Sequence, residues 1–141
     1  MDEQAQLRAL IDTAVDGILS ISADGRLRLY NKASERIFGY KEQEVLGQTI
    51  EKLMPPSYSE HHQEFIDSYL AGGAPKIIGA VRQVEGLRRD GSVFPMLLSV
   101  GEFREEGERY FVGIVRDLSE EIAAREHNQM LQEQLEMISR Y

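Results

Sequence analysis

At Pro75 the hydrophobic pattern changes period, and this change narrows the possible folds more than any other feature of the chain. Downstream, "IIGAVRQVEGLRR", "SVFPMLLSVGEF" and "RYFVGIVRDL" are separated by the turn pairs Asp90-Gly91 and Glu106-Gly107. They read as consecutive antiparallel strands in a meander. Upstream, Leu7, Leu10, Ile11, Ala14 and Val15 recur at helical spacing, and "DGILSIS" and "GRLRLYN" are short runs joined by "ADG". That pattern predicts a leading helix and then a hairpin. "KASERIFGYKEQEVLGQTIEKLMPP" holds short helical patterns broken by Gly39, Gly47 and Pro55, and "MPPSYSEHHQEFIDSYL" continues as an amphipathic helix ending near "AGGAP". Strands, a helical insert and further strands suit one antiparallel sheet with helices segregated to one face, an α+β architecture.

The last stretch, "DLSEEIAAREHNQMLQEQLEMISRY", predicts a long helix, with Asp117 as cap and Glu120 completing a capping box. Ala124, Asn128, Leu131, Leu135 and Ile138 are spaced four, three, four, three. This is a heptad seam with Asn128 at an a-type position, where a polar residue can fix register. Two readings follow: a parallel homodimer coil, or a solvated helix packed back on its own domain. The pattern runs to the C-terminus without a stop signal, as expected of a chain cut from something longer.

At 141 residues and 42% hydrophobic content the chain can bury one core. Sixteen basic against 24 acidic residues leave a formal charge of −8. A nucleic-acid or anionic-membrane partner is therefore not expected, because phosphate binding draws on clustered Lys and Arg. The absence of cysteine excludes disulfides, thiolate metal sites, thioether-linked haem and cysteine nucleophiles. No apolar run approaches the ~20 residues that span a bilayer, and "MDEQAQLRAL" lacks the marks of a secretory signal, so a cytoplasmic location is expected. Neither a nucleophile elbow, a phosphate loop nor a metal-binding cluster is present, and no catalytic activity of the chain itself is expected.

Helical geometry separates the adjacent histidines His61 and His62. At ~100° per residue, Phe65, Ile66, Tyr69 and Leu70 cluster in one arc measured from Tyr58, with His62 near its centre and His61 toward its edge beside Ser57, Glu64 and Ser68. His62 therefore points inward, where its ring nitrogens need partners: a metal at one and a hydrogen bond at the other, or the hydrogen bonds of an ordinary core histidine. His127, in the terminal helix, is expected to face solvent. On the following strand Ile78, Ala80, Arg82 and Val84 share one face by alternation, so Arg82 is expected partly buried and in need of an anion. Leu98 and Val100 share parity with Met96 and suit an apolar wall or simple core packing.

"ERIFGYKEQEVLGQTIEKLMP", "VEGLRRDGSVFPMLLSVGE" and "YFVGIVRDLSE" resemble the successive signatures of PAS domains, over about Leu7 to Glu121. Asp117-Leu118-Ser119 stands where that family carries the triplet that hands a signal to the following helix. Within the superfamily, "MPPSYSEHHQEFIDSYL" followed by "IIGAVRQVEGLRRDGSVFPM" is similar to the oxygen-sensing haem PAS domain of FixL-type histidine kinases. The resemblance implies a PAS fold: a five-stranded antiparallel sheet with helices on one face, flanked by an N-terminal helix (1–16) and a C-terminal coiled-coil helix (119–141), with residues 17–118 as sensor domain.

The resemblance also implies b-type haem with His62 as proximal iron ligand. The porphyrin supplies four nitrogens, and the sixth position can stay open for a diatomic gas. Arg82 matches the family's mobile arginine, which contacts a propionate in the unliganded state and turns to bound oxygen. Lys76 stands as a basic anchor for propionate, Leu98 and Val100 match the apolar distal wall, and Phe65, Ile77 and Gly113 match further pocket positions. Ile77 lies opposite Arg82 in strict alternation, so a twist or bulge would be required to bring both to the pocket. The function implied is detection of oxygen or another diatomic gas, relayed through the terminal helix of a homodimer to a downstream output domain such as a histidine kinase. The alternative is a cofactor-free PAS module serving dimerisation or protein interaction, with His62 as a packed core residue.

Overall fold

The computed structural model describes residues 2–57, Gln63, Asp67 and residues 81–139. The strands β1 (Gly17–Ser22), β2 (Leu27–Tyr30), β3 (Val81–Leu87), β4 (Val93–Glu105) and β5 (Glu108–Asp117) form one five-stranded sheet in the order β2-β1-β5-β4-β3. Every pairing is antiparallel. β3, β4 and β5 make the meander that the change of period predicts; Gly91 (φ 89°) and Gly107 (φ 81°) occupy the left-handed region that tight turns need. β1 lies between β2 and the central strand β5, with Gly17 opposite Val115 and Leu19 opposite Gly113. Of the run predicted from Ile77, the described part of the strand begins at Val81, and Ile77 to Ala80 lie outside the described residues.

Of helices α1 (Glu3–Thr13), α2 (Lys32–Phe38) and α3 (Glu42–Val45) and a 3₁₀ turn (Ile50–Leu53), α2 packs against β1, α3 against β2, the 3₁₀ turn against β3, and α1 against α2. Inward residues of the strands, including Leu19, Ile21, Phe94, Met96, Phe111 and Val115, pack with Phe38, Val45, Ile50 and Leu53 in one buried cluster. Removing this apolar area from water is the main favourable contribution to the fold. The Phe94 ring meets Phe38 edge-on at 5.7 Å. It can do so because Gly86 faces it across the ladder: a Cβ there would come within 2.7 Å of the ring.

One asparagine organises the helical side. Asn31 is fully buried. Its Oδ1 accepts from Ile18 N (2.8 Å), Ser34 N (3.0 Å) and Ser34 Oγ (2.8 Å), and its Nδ2 donates to Ile11 O and Asp16 O. It therefore caps α2 while tying that helix to β1 and to the end of α1. α1 is held by such polar ties, among them Arg8 Nη2 to Glu42 Oε2 at 2.6 Å. It buries no residue, and Leu7 and Leu10 remain exposed.

The terminal helix α4 (Ser119–Ser139) forms as predicted, but its start differs. In place of an Asp117/Glu120 box, the Asp117 carboxylate accepts from Ser119 N (2.9 Å) and Ser119 Oγ (2.6 Å). The chain turns sharply out of β5 there, so the side chain reaches two residues ahead instead of three. No residue of α4 is buried; Leu131, Leu135 and Ile138 are 45%, 67% and 69% exposed, and His127 faces solvent. The helix therefore does not pack its apolar seam back on its own domain. Among the described residues no helix is long and apolar enough to cross a membrane.

Candidate functional site

Strand alternation arranges the inner sheet face in cross-strand tiers. Val115, Leu98 and Arg82 stand opposite one another in one tier, Leu19, Gly113 and Val100 in the next, and Ile21, Phe111 and Glu102 in a third. Leu98 and Val100 are partly buried against the core. Between them and Leu19, Gly113 is buried and lacks the side chain that would close the surface: a Cβ there would lie 3.3 Å from Leu19 Cδ1 and 3.6 Å from Leu98 Cδ1. The second tier is thus a smooth apolar wall with a shallow floor. Its chemistry and shape fit one flank of a flat apolar group, with contact by dispersion and no polar atom to desolvate. Leu98, Val100 and Gly113, three of the residues expected in the pocket, share this face.

Arg82 shares the face by register, directly across from Leu98, as alternation predicts. Its burial differs from expectation: Arg82 is exposed, and it makes no hydrogen bond or ion pair among the described residues. Position 82 lies on an edge strand, near the beginning of its described part, where the parity of a residue decides its face and the covering layer decides its depth. His61, His62, Phe65, Lys76 and Ile77 lie outside the described residues.

Beyond the wall is a charged tier that sequence reading missed. Arg109 Nε and Nη2 reach Glu102 Oε1 and Oε2 at 2.6 and 3.0 Å, in a bidentate pair whose side chains are largely buried. Glu102 has the parity of Leu98 and Val100, and Arg109 that of Phe111 and Gly113. Alternation was a usable signal for both, although their diagonal pairing was not visible without the register. The pair gives the apolar wall a polar boundary at this end of the sheet.

At the other end Arg88 connects the sheet to α4. Its Nη1 donates to Ile37 O (2.7 Å), its Nη2 to Asp117 Oδ2 (2.9 Å) and Ser119 Oγ (3.2 Å), and its guanidinium lies 4.0 Å from the centre of the Phe94 ring. Burial pushes the Asp117 carboxyl upward, but the bonds from Ser119 and the Arg88 guanidinium outweigh it and hold the group below the usual carboxylate range. One side chain thus touches the end of α2, the core ring of β4, the last residue of β5 and the first residue of α4. A displacement in the sheet has a direct polar path to the terminal helix.

A family model described as "PAS fold" matches residues 5–118. Sensor protein FixL of Bradyrhizobium diazoefficiens is 41% identical over 97% of this chain, and Oxygen sensor protein DosP of Escherichia coli is 30% identical over 82%. The chain spans 27% and 14% of those two proteins' lengths. Among solved structures, the PAS domain of an HTR-like protein from Haloarcula marismortui superposes with a TM-score of 0.63 at 33% identity, over 81% of this chain and 90% of that one.

Proposed function

The chain belongs to the PAS family, and from that premise we propose that it is the haem-binding, gas-sensing input module of a larger cytoplasmic signalling protein. His62 is the protein's iron ligand, and Leu98, Val100 and Gly113 form the apolar wall across from it, with Phe65 and Ile77 as further pocket residues. Lys76 and Arg82 serve the propionates. The observation that carries this reading is the 41% identity to Sensor protein FixL across nearly the whole chain, joined by 30% identity to a protein named an oxygen sensor. The smooth floor at Gly113 supports it from the side of shape. When bound, haem would supply an iron with one position open to oxygen or another diatomic gas. The chain's own residues hold the group, exclude water on the wall side and carry the response to a downstream output domain such as a histidine kinase. Titrating the purified chain with haem tests the proposal: a saturable Soret band at one haem per chain is expected, and its absence would leave the cofactor-free interaction module as the function.

Arg82 has the properties of a ligand-responsive arm. It keeps its charge at any physiological pH, its donor fork suits a carboxylate or a polar ligand oxygen, and it has no described partner to leave behind. Exchange of such a charge-assisted bond involves roughly 1.5–3 kcal/mol. Arg82→Ala is therefore expected to weaken oxygen binding by about tenfold or more while leaving affinity for carbon monoxide, a much less polar ligand, nearly unchanged. Parallel gas titrations check this, and equal effects on both gases would leave Arg82 without a ligand role.

The exposed seam of α4, with Leu131, Leu135 and Ile138 open to solvent, supports a parallel homodimer through this helix. Ending the chain at Glu120 is expected to convert dimer to monomer in sedimentation. If the shortened chain dimerises as tightly as the full one, α1, with Leu7 and Leu10 exposed, becomes the interface.

A further inference from the structure

An open cleft of about 410 Å³ lies between the C-terminal end of α2 and the turn that joins β3 to β4. It is lined by Arg36, Ile37 and Gly39 on one side and by Arg88, Arg89 and Asp90 on the other, and it shares no residue with the wall of Leu98, Val100 and Gly113. Gly39 ends α2 in the left-handed region (φ 85°), and a Cβ there would meet Arg89 Cβ at 3.4 Å, so the two sides approach closely at this point. Three arginines in one cleft stand out on a chain of net charge −8. Their donors are unequally used. Arg36 is exposed and makes no hydrogen bond or ion pair among the described residues. The Arg89 side chain donates once, from Nη1 to Glu44 Oε2 (2.6 Å), and Arg88 donates to Ile37 O, Asp117 Oδ2 and Ser119 Oγ. Each guanidinium carries five N–H donors, so Arg36 and Arg89 keep most of theirs for a ligand.

The groups that would repel an anion are already engaged. Asp90 Oδ1 is folded back onto Ser92 N (2.9 Å) and Ser92 Oγ (2.6 Å). At the end of α2, Ile37 O accepts from Arg88 Nη1 and Phe38 O from Arg89 N (2.8 Å). A further cation, Lys52 Nζ, lies 4.8 Å from the centre of the Tyr40 ring, which the Arg89 guanidinium approaches at 5.8 Å. We propose that the cleft binds a small phosphate monoester, held by Arg36 and Arg89 and sensed by Arg88, whose grip on the start of α4 loosens when the ligand is in place. One guanidinium fork satisfies a carboxylate; several around one group suit the three outward oxygens of a phosphoryl group and its charge of about −1.5 to −2. The volume leaves room for the carbon part of the ester, and Ile37 offers it apolar contact. A phosphate oxygen that takes Arg88 donors competes with the Asp117 carboxylate and the Ser119 hydroxyl, which tie that guanidinium to the root of the helix. The cleft is then an input to α4 separate from the haem pocket.

The test uses the full chain, followed by amide resonances and hydrogen exchange. The probes are phenyl phosphate, inorganic phosphate and acetate, with sodium chloride at matched ionic strength as reference. Phenyl phosphate is expected to give saturable shifts at residues 36–39 and 88–90, inorganic phosphate the same shifts at lower affinity, and acetate binding at least about tenfold weaker than phenyl phosphate. Arg36→Ala and Arg89→Ala should each weaken phenyl phosphate by about tenfold. Arg36→Ala should leave the melting temperature unchanged, because the side chain bonds no described residue, and this separates lost binding from lost fold. Bound phenyl phosphate should speed exchange of the Ser119 and Ile122 amides, which are bonded to Asp117 Oδ1 and Leu118 O, by roughly threefold or more. Shifts that sodium chloride reproduces would overturn the site. Saturable binding with unchanged exchange at Ser119 and Ile122 would overturn the coupling to α4, and inorganic phosphate binding as tightly as phenyl phosphate would overturn the ester in favour of free phosphate.

Discussion

His62→Ala is expected to abolish the Soret band of the haem-supplemented chain, whereas His61→Ala keeps most of it. The chain has no cysteine and so no thioether attachment, which leaves an imidazole as the strongest bond between protein and porphyrin. The wall residues Leu98, Val100 and Gly113 contribute apolar contact alone, which does not discriminate iron. Of the two neighbours, only His62 falls near the centre of the arc formed by Phe65, Ile66, Tyr69 and Leu70. Circular dichroism should show both variants folded, because the buried cluster from Leu19 to Val115 already joins the sheet to α2, α3 and the 3₁₀ turn through described residues alone. Equal loss of haem in the two variants would overturn the assignment of helical faces.

Arg88→Ala is expected to lower stability by about 2 kcal/mol and the melting temperature by roughly 6 °C, measured by thermal and urea unfolding. The substitution strands Asp117, leaves the Ile37 carbonyl without this donor and removes the cation from the Phe94 ring. The magnitude lies below that of a deeply buried pair because Arg88 and Asp117 keep about a quarter of their side-chain surface in water. A second readout is the first turn of α4, whose amides should exchange faster in the variant. The pH dependence has a definite sign. Because the folded Asp117 carboxyl is held below its usual range, its contribution is complete above the unfolded value of about 4 and is lost as pH falls through the lower folded value. Acid should therefore reduce the wild-type advantage over Arg88→Ala, and neutral or mildly alkaline solution should preserve it.

These two residues mark what could be read from the chain and what could not. The strands announce themselves because each carries its inward set at every second position: Phe94, Met96 and Leu98 on β4, Phe111, Gly113 and Val115 on β5. The Asp90-Gly91 and Glu106-Gly107 turns supply the punctuation. Arg82 shows the limit of that logic: the pattern gives the right face and the wrong depth. Arg88, Glu102 with Arg109, Asn31 and Gln63 are each defined by a partner distant in sequence or diagonal across the ladder. Arg88 meets Asp117 across 29 positions and Gln63 meets Ala23 across 40. Such pairings become visible only when the strand order is known, and the position of β1 beside β5 is what makes several of them possible.

That strand order also determines how the domain can be wired into a longer polypeptide. Because Gly17 lies opposite Val115, the chain comes into the sheet and goes out of it on neighbouring strands at the same edge of the molecule, and Arg116 reaches across to Asp16 at 3.3 Å to strap the two together. A body whose two ends emerge side by side behaves as a cassette: it can sit in series between other modules without separating them. Torque applied at either end would act on adjacent strands of one ladder, β1 and β5, through the same cross-strand bonds.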